Sequence, residues 1–303
     1  MYYYICSNQN YMFGITKLLP LGDIDMYKVI IDSCGELTPE MKASGNFVNV
    51  PLTLTVDGVD IIDDDTFDQA DFLRKVEASP TGPKSACPSP DAYMQEMDCE
   101  AENVYVITLS AQLSGSYNSA CLAKDLYLED NDEKNIAIID SKSASIGQTL
   151  IGLKIAECEE AGMSFTEVME EVDKYIESQH TFFVLESLET LRKAGRLSNL
   201  KAMIASTLNI KPIMGSTEIG SIQQLGQARG IVKAMDQMVN CMLEVTENTT
   251  EKTLAISHCN CPQRALQLKE KIEKKASFKE IYILDTQGVS SMYANDGGII
   301  MVV

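Results

Sequence analysis

Three runs in the first half of the chain, YKVIID (27 to 32), NVYVITLS (103 to 110) and NIAIIDS (135 to 141), are almost continuously apolar and rich in β-branched residues. Each passes into a polar loop and then into a stretch with helical spacing. A strand apolar at every position is covered on both faces, so this alternation specifies a mainly parallel sheet flanked by helices, an α/β fold. The first run ends in Asp32-Ser33-Cys34-Gly35-Glu36-Leu37-Thr38-Pro39, where Thr38-Pro39 has the chemistry of a helix start. FVNVPLTLTV (47 to 56) reads as a second strand closed by an Asp57-Gly58 turn, and helical spacing over Thr66 to Ala78 is broken by Ser79-Pro80-Thr81-Gly82-Pro83.

The pattern continues in the second half. A helix is expected over Phe165 to Gln179, a strand at HTFFVLES (180 to 187) and a helix at Leu188 to Ala194. A helix-like stretch begins at Lys201, followed by an extended IKPIMG (210 to 215) and a hairpin around Glu218 to Ser221. An amphipathic helix over Ile231 to Glu247 precedes TLAISH (253 to 258), a helix from Pro262 to Lys274, EIYILD (280 to 285) and GGIIMVV (297 to 303). At roughly 100 to 200 residues per domain, 303 residues fit two domains, here 26 to 178 and 179 to 303. Residues 1 to 25 lack the charged start and clean apolar stretch of a signal peptide and read as an extension outside the fold.

Charge and cysteine usage narrow the function. The net charge of −19 repels nucleic-acid backbones and anionic membrane surfaces, and no stretch is long and apolar enough to insert into a membrane. Nine scattered cysteines, an odd number, suit reduced thiols in a cytoplasmic protein. His258-Cys259-Asn260-Cys261 lacks the second ligand pair that tetrahedral zinc requires, and no metal or cofactor is expected. Nucleophile-elbow, Walker A and dinucleotide fingerprints are all missing.

Chemistry is instead concentrated in hydroxyl-rich loops: Asp32-Ser33, Ser85 to Pro90, Ser110 to Tyr117 and Asp140 to Ser143. In an open α/β sheet the carboxyl ends of the strands converge on one crevice. Hydroxyls and free amides in a glycine-containing turn before a helix suit a carboxylate or a phosphate there. Serine and glycine are also ordinary turn formers and caps, so the loops alone leave open a hydrolase or transferase acting on acyl or phosphoryl groups through Ser114 or Asp32.

The ordered set IIDSCGEL, VPLTL, SACPSP, LSAQLSGSYNSA, IIDSKSASIGQ, LETLRKAGRLS, LNIKPIMG and QARGIVKA resembles the DegV family of bacterial fatty-acid-binding proteins from about residue 27 to the end. The resemblance implies two α/β domains with a long-chain fatty acid buried between or within them. It also implies a carrier without catalysis of its own, presenting the acid to a separate fatty-acid kinase subunit. Carried over by motif, Ser85 and Ser114 are the carboxylate contacts, with Gly115 beside them. Asp32, Ser33, Ser116, Arg229 and His258 are further candidates for contact with the head group or the partner.

Two departures stand out. Ala86 and Cys87 occupy positions where the family commonly has Ser and Gln, and Tyr293 stands where it has a histidine. A phenol donates a hydrogen bond but carries no positive charge near neutral pH, which bears on acyl-phosphate formation more than on binding. Arg192 and Arg196 are conspicuous in so acidic a chain, Arg196 in the GR loop, and the fifteen methionines offer adaptable lining for a flexible tail.

Overall fold

A computed structural model describes residues 27–131, 134–197 and 209–303. The proposed extension, Cys6 and the helix-like stretch from Lys201 lie outside the described residues.

The chain opens with β1 (Tyr27–Asp32), α1 (Pro39–Ser44) and β2 (Phe47–Val50). Thr38 caps α1 by accepting from Met41 N at 3.1 Å, with Pro39 already set for the first turn. Pro51 then interrupts the expected long strand: it cannot donate to a ladder, and residues 47 to 56 divide between two sheets. The second piece is β3 (Thr53–Val56), which turns through Asp57 and Gly58, both at positive φ, into β4 (Val59–Ile62). After α2 (Gln69–Ala78), β5 (Lys84–Ala86) pairs with β3 and completes a small antiparallel sheet.

Next come α3 (Pro90–Met97), β6 (Asn103–Thr108), α4 (Ser116–Leu128), β7 (Asn135–Asp140), α5 (Ile146–Glu160) and α6 (Phe165–Ser178). The first large sheet has the order β2-β1-β6-β7 and is parallel throughout. Alternation along β1 assigns its two faces. Val29 and Ile31 pack with Ile151 and Ile155 of α5 and Val168 and Val172 of α6, while Ile30 packs with Tyr93 and Met97 of α3 and Ala120 of α4. All three β1 residues are fully buried, each contributing about 1.5–3 kcal/mol of transfer free energy.

The remainder contributes β8 (Thr181–Val184), α7 (Glu189–Lys193), β9 (Ile210–Ser216), β10 (Ile222–Arg229) and α8 (Ile231–Val245). It closes with β11 (Thr253–His258), α9 (Pro262–Glu273), β12 (Glu280–Asp285), α10 (Gly288–Ala294) and β13 (Ile299–Val302). The six-stranded sheet, β10-β9-β8-β13-β11-β12, is mixed and is parallel only between β11 and β12. The β9–β10 connection is a hairpin, which permits only an antiparallel pair, and β13 runs back between β8 and β11. Phe182 and Val184 face a core with Met235, Met238 and Met242 of α8, and Phe183 with Leu185 faces the opposite side.

The two large sheets are joined by buried polar contacts. Asp63, following β4, accepts from Gly288 N at 2.6 Å and Val289 N at 2.8 Å at the start of α10, and from Ser33 Oγ at 2.9 Å. Glu36 accepts from Ser145 Oγ at 2.8 and 3.0 Å, and Ser145 Oγ lies 2.7 Å from Ser257 Oγ on β11.

Candidate functional site

The hydroxyl loops leave the carboxyl ends of β1, β6 and β7 and meet. Leu109 N donates to Asp32 Oδ2 at 2.8 Å, and Ser110 N donates to Ser143 O at 2.8 Å. The tip of the β9–β10 hairpin closes over them, with Ser110 Oγ donating to Gly220 O at 2.8 Å. The approach is so close that a Cβ on Gly220 would stand 2.3 Å from Ser110 Oγ, and its φ of +83° also favours glycine.

Beneath this seam lies an almost wholly apolar cavity with about 760 Å3 of space, part of it open to solvent. Its walls include Leu113, Phe183, Leu185, Leu191, Ile222 and Ile300, drawn from both halves of the chain. Cys34 also lines it, but burial pushes its thiol well above the usual range, so it behaves as a small apolar group rather than a nucleophile.

Tyr293 of α10 lines the cavity, and its phenol lies 3.1 Å from Ser85 Oγ on β5. Both side chains are half-buried. Ser114 is also half-buried; its Oγ lies 3.1 Å from Ser116 Oγ and accepts from Ser116 N at 3.2 Å. Gly115 is exposed, and a Cβ there would lie 3.3 Å from Cys87 Sγ, so the loop carrying Ser114 abuts the segment after Ser85. Ser119 Oγ fastens the two by donating to Pro88 O at 2.6 Å. Of the four, Tyr293 lines the cavity; Ser85 lies against its phenol, and the loop of Ser114 and Gly115 abuts the segment after Ser85.

Arg196 enters the same neighbourhood. It lines the cavity, is half-buried, and donates from Nε to Leu113 O at 3.0 Å. Sequence reasoning noted this arginine without placing it at the cavity. The missed signal in 180 to 187 is its period of two: Thr181, Phe183 and Leu185 all line the cavity while Phe182 and Val184 do not.

The other candidates sit elsewhere. Asp32 is fully buried and accepts from Leu109 N, Gln148 Nε2 at 2.9 Å and Cys34 N at 3.3 Å; burial pushes its carboxyl up to about 6. Ser33 is engaged by Asp63 and by Leu52 N at 2.9 Å, and Ser116 is fully buried beneath Ser114. Arg229 is exposed at the end of β10 away from cavity-lining Ile222, about 20 Å along the strand. His258 is buried and does not line the cavity; its Nδ1 is 3.0 Å from Asp285 Oδ1, within ion-pair range but not aligned as a hydrogen bond. Among the described residues no histidine hydrogen-bonds Ser114, and no cluster of His, Cys, Asp and Glu is arranged to hold a metal. No helix among them is long and apolar enough to cross a membrane.

Comparison with known proteins places this architecture. The family model described as "Uncharacterised protein, DegV family" matches residues 26–302. A DegV domain-containing protein of Streptococcus pneumoniae strain R6 is 34% identical over 277 residues, covering 91% of this chain and 98% of its own. A DegV family structure from Ruminococcus gnavus, refined with vaccenic acid, is 52% identical with a TM-score of 0.90, covering 92% of this chain and all of that one. The fatty acid kinase (Fak) B3 protein of Streptococcus pneumoniae, loaded with linoleic acid, is 33% identical with a TM-score of 0.82, covering 91% of this chain and 98% of that one. With the family match extending over nearly the whole described fold, the chain belongs to the DegV family.

Proposed function

We propose that this chain binds one long-chain fatty acid and presents its carboxylate to a separate fatty-acid kinase. The observation that carries this reading is an almost wholly apolar cavity lined by Tyr293, whose phenol lies against Ser85. The two α/β units, divided near Ser178, close on the acid from either side. Relatives holding vaccenic and linoleic acids, one of them a fatty acid kinase B protein, support it.

The tail supplies the affinity, at roughly 0.8 kcal/mol for each methylene removed from water. The carboxylate supplies orientation, because burying it without hydrogen-bond donors would cost several kcal/mol. Ser85, Ser114 and Tyr293 offer hydroxyl protons, Gly115 its exposed backbone, and Arg196 a cation beside Leu113. Held at the mouth, a carboxylate oxygen is accessible to attack the terminal phosphorus of a nucleotide bound to the partner. The new bond joins that oxygen to phosphorus as the bond to the departing diphosphate breaks. This chain's part is to bury the tail and hold the head still.

Organic extraction of the purified protein followed by mass spectrometry tests binding: about one fatty acid per chain is expected. Release of no lipid, together with no rise in melting temperature on adding palmitate or oleate, overturns the proposal. Acyl-phosphate formation with a fatty-acid kinase and ATP, dependent on this chain, tests presentation.

A further inference from the structure

Asp32, Glu36 and Asp63 are buried around the end of β1, and their hydrogen bonds differ in kind. Both oxygens of Asp32 face N–H donors, Leu109 N on one and Cys34 N and Gln148 Nε2 on the other. Asp63 likewise has Gly288 N on one oxygen and Val289 N on the other. An N–H cannot accept, so both sites suit a charged carboxylate. Glu36 is different: both its oxygens face the Ser145 hydroxyl, at 2.8 and 3.0 Å, a group that accepts as well as donates. Burial pushes this carboxyl up to about 8, against the opposing pull of Ser145, Ser290 and the Gln287 amide.

Ser145 joins Glu36 to the six-stranded sheet. Its Oγ lies 2.7 Å from Ser257 Oγ on β11, and its amide donates to Cys34 Sγ at 3.5 Å. The placement is locally unfavourable: Ser145 directly precedes α5, yet its hydroxyl does not cap that helix, and its φ is +56°. Around it Ile146 and Leu150 of α5 cluster with Ala255 of β11 and Val302 of β13, so an ionised Glu36 sits beside an apolar joint. Cys34, Ser145, Val289 and Ser290 line the cavity, which makes this joint part of the cavity wall. Ser290 Oγ completes it by donating to Cys34 O at 2.9 Å.

We propose that the proton on Glu36 is a latch between the two large sheets: with it the connection from Glu36 through Ser145 to Ser257 is closed, and without it the joint loosens and the cavity wall parts at Cys34. The titratable groups nearest Glu36 on its own loop are Cys34 and Asp32, with Asp63 bonded to Ser33; α5, β11 and α10 present the hydroxyls of Ser145, Ser257 and Ser290. In the parted joint Glu36 meets water and releases its proton in the ordinary carboxylate range. Opening therefore gains roughly tenfold for each pH unit from that range to about 8, and levels off above it, where both forms are ionised. The latch works in this way whatever the cavity holds.

Two buried thiols read it out. Cys34 lies at the joint, and Cys158 lies in the core of the first sheet, where a reagent reaches it only on wider unfolding. The whole protein and its Glu36→Gln variant are treated with iodoacetamide between about pH 6 and about pH 9, and each cysteine is quantified by mass spectrometry. Cys34 should be alkylated well before Cys158 in the parent. Glu36→Gln keeps an acceptor for Ser145 but has no acid, so it should slow Cys34 by a factor that grows roughly tenfold per pH unit up to about pH 8. The thiol's own ionisation is common to both proteins and cancels in that ratio. Ser257→Ala leaves Glu36 in place and cuts its link to β11, so it should speed Cys34 even at the acidic end. Alkylation of Cys34 and Cys158 at one rate overturns the latch, and so does a Cys34 rate indifferent to both substitutions.

Discussion

Ser85 Oγ and the Tyr293 phenol stand 3.1 Å apart although the residues are separated by 208 positions in the chain. The bond fastens the small antiparallel sheet, through β5, to α10 and so to the six-stranded sheet. It also sets the Ser85 hydroxyl against the phenol of a residue that lines the cavity. Ser85→Ala and Tyr293→Phe should each lower stability by about 0.5–1.5 kcal/mol. The double variant should cost less than the sum, because both changes remove the same bond. Urea unfolding of the four proteins measures the coupling; strict additivity would show that the two hydroxyls do not interact.

Ser114→Ala is expected to weaken fatty-acid binding by about 1–3 kcal/mol by leaving a desolvated carboxylate short of one donor. The fold should survive, since the side chain is only half-buried and, among the described residues, its hydroxyl engages Ser116 alone. Isothermal titration with oleate checks this. Unchanged affinity would locate the head group elsewhere.

Buried carboxyls make stability depend on pH. Burial pushes Glu36 up to about 8, and Asp32 and Asp63 up to about 6; their hydrogen-bond partners are hydroxyls and amides rather than cations. The unfolded chain releases these protons in the ordinary carboxylate range, so between there and about pH 8 the folded state binds more protons and stability falls as pH rises. The contribution is full at the acidic end of that window and lost at the basic end. Glu36→Gln keeps an acceptor for Ser145 and removes the titration, so it should raise stability by about 1–3 kcal/mol near pH 8 and little near pH 5. Melting curves of parent and variant across that range give the difference, which also cancels the general self-repulsion of an acidic chain.

At the hairpin tip, Gly220→Ala should cost about 1–3 kcal/mol. The residue has φ +83°, and its added methyl would stand 2.3 Å from Ser110 Oγ. Gly162→Ala is the comparison: its φ is also positive, at +75°, but a Cβ meets nothing within 4 Å, so only the backbone penalty applies. Denaturant midpoints that fall equally in both variants would show that contact with Ser110 adds nothing.

The amino-acid sequence by itself determined the strands and helices whose signal is local. YKVIID, TLAISH and EIYILD each form a strand over their full length because apolar runs and adjacent turn formers act within a few residues. The resemblance to the family singled out Ser85 and Ser114 as candidates by motif, and Tyr293 as a departure from it. Contacts between distant parts of the chain were decided only by tertiary structure. Asp32 and Ser33 have the composition of a ligand loop, yet folding turns their side chains onto Leu109, Gln148 and Asp63, because buried polar atoms must find partners. Pro51 marks a break without saying that the halves of 47 to 56 enter different sheets. Helix α10 was not anticipated from GVSSMYA, a short segment whose first amides are held by Asp63, 225 positions earlier in the chain. The cavity itself has no local signature: Arg196, Thr181 and Ser216 line one space only because the β9–β10 hairpin folds back over the loops of the first sheet.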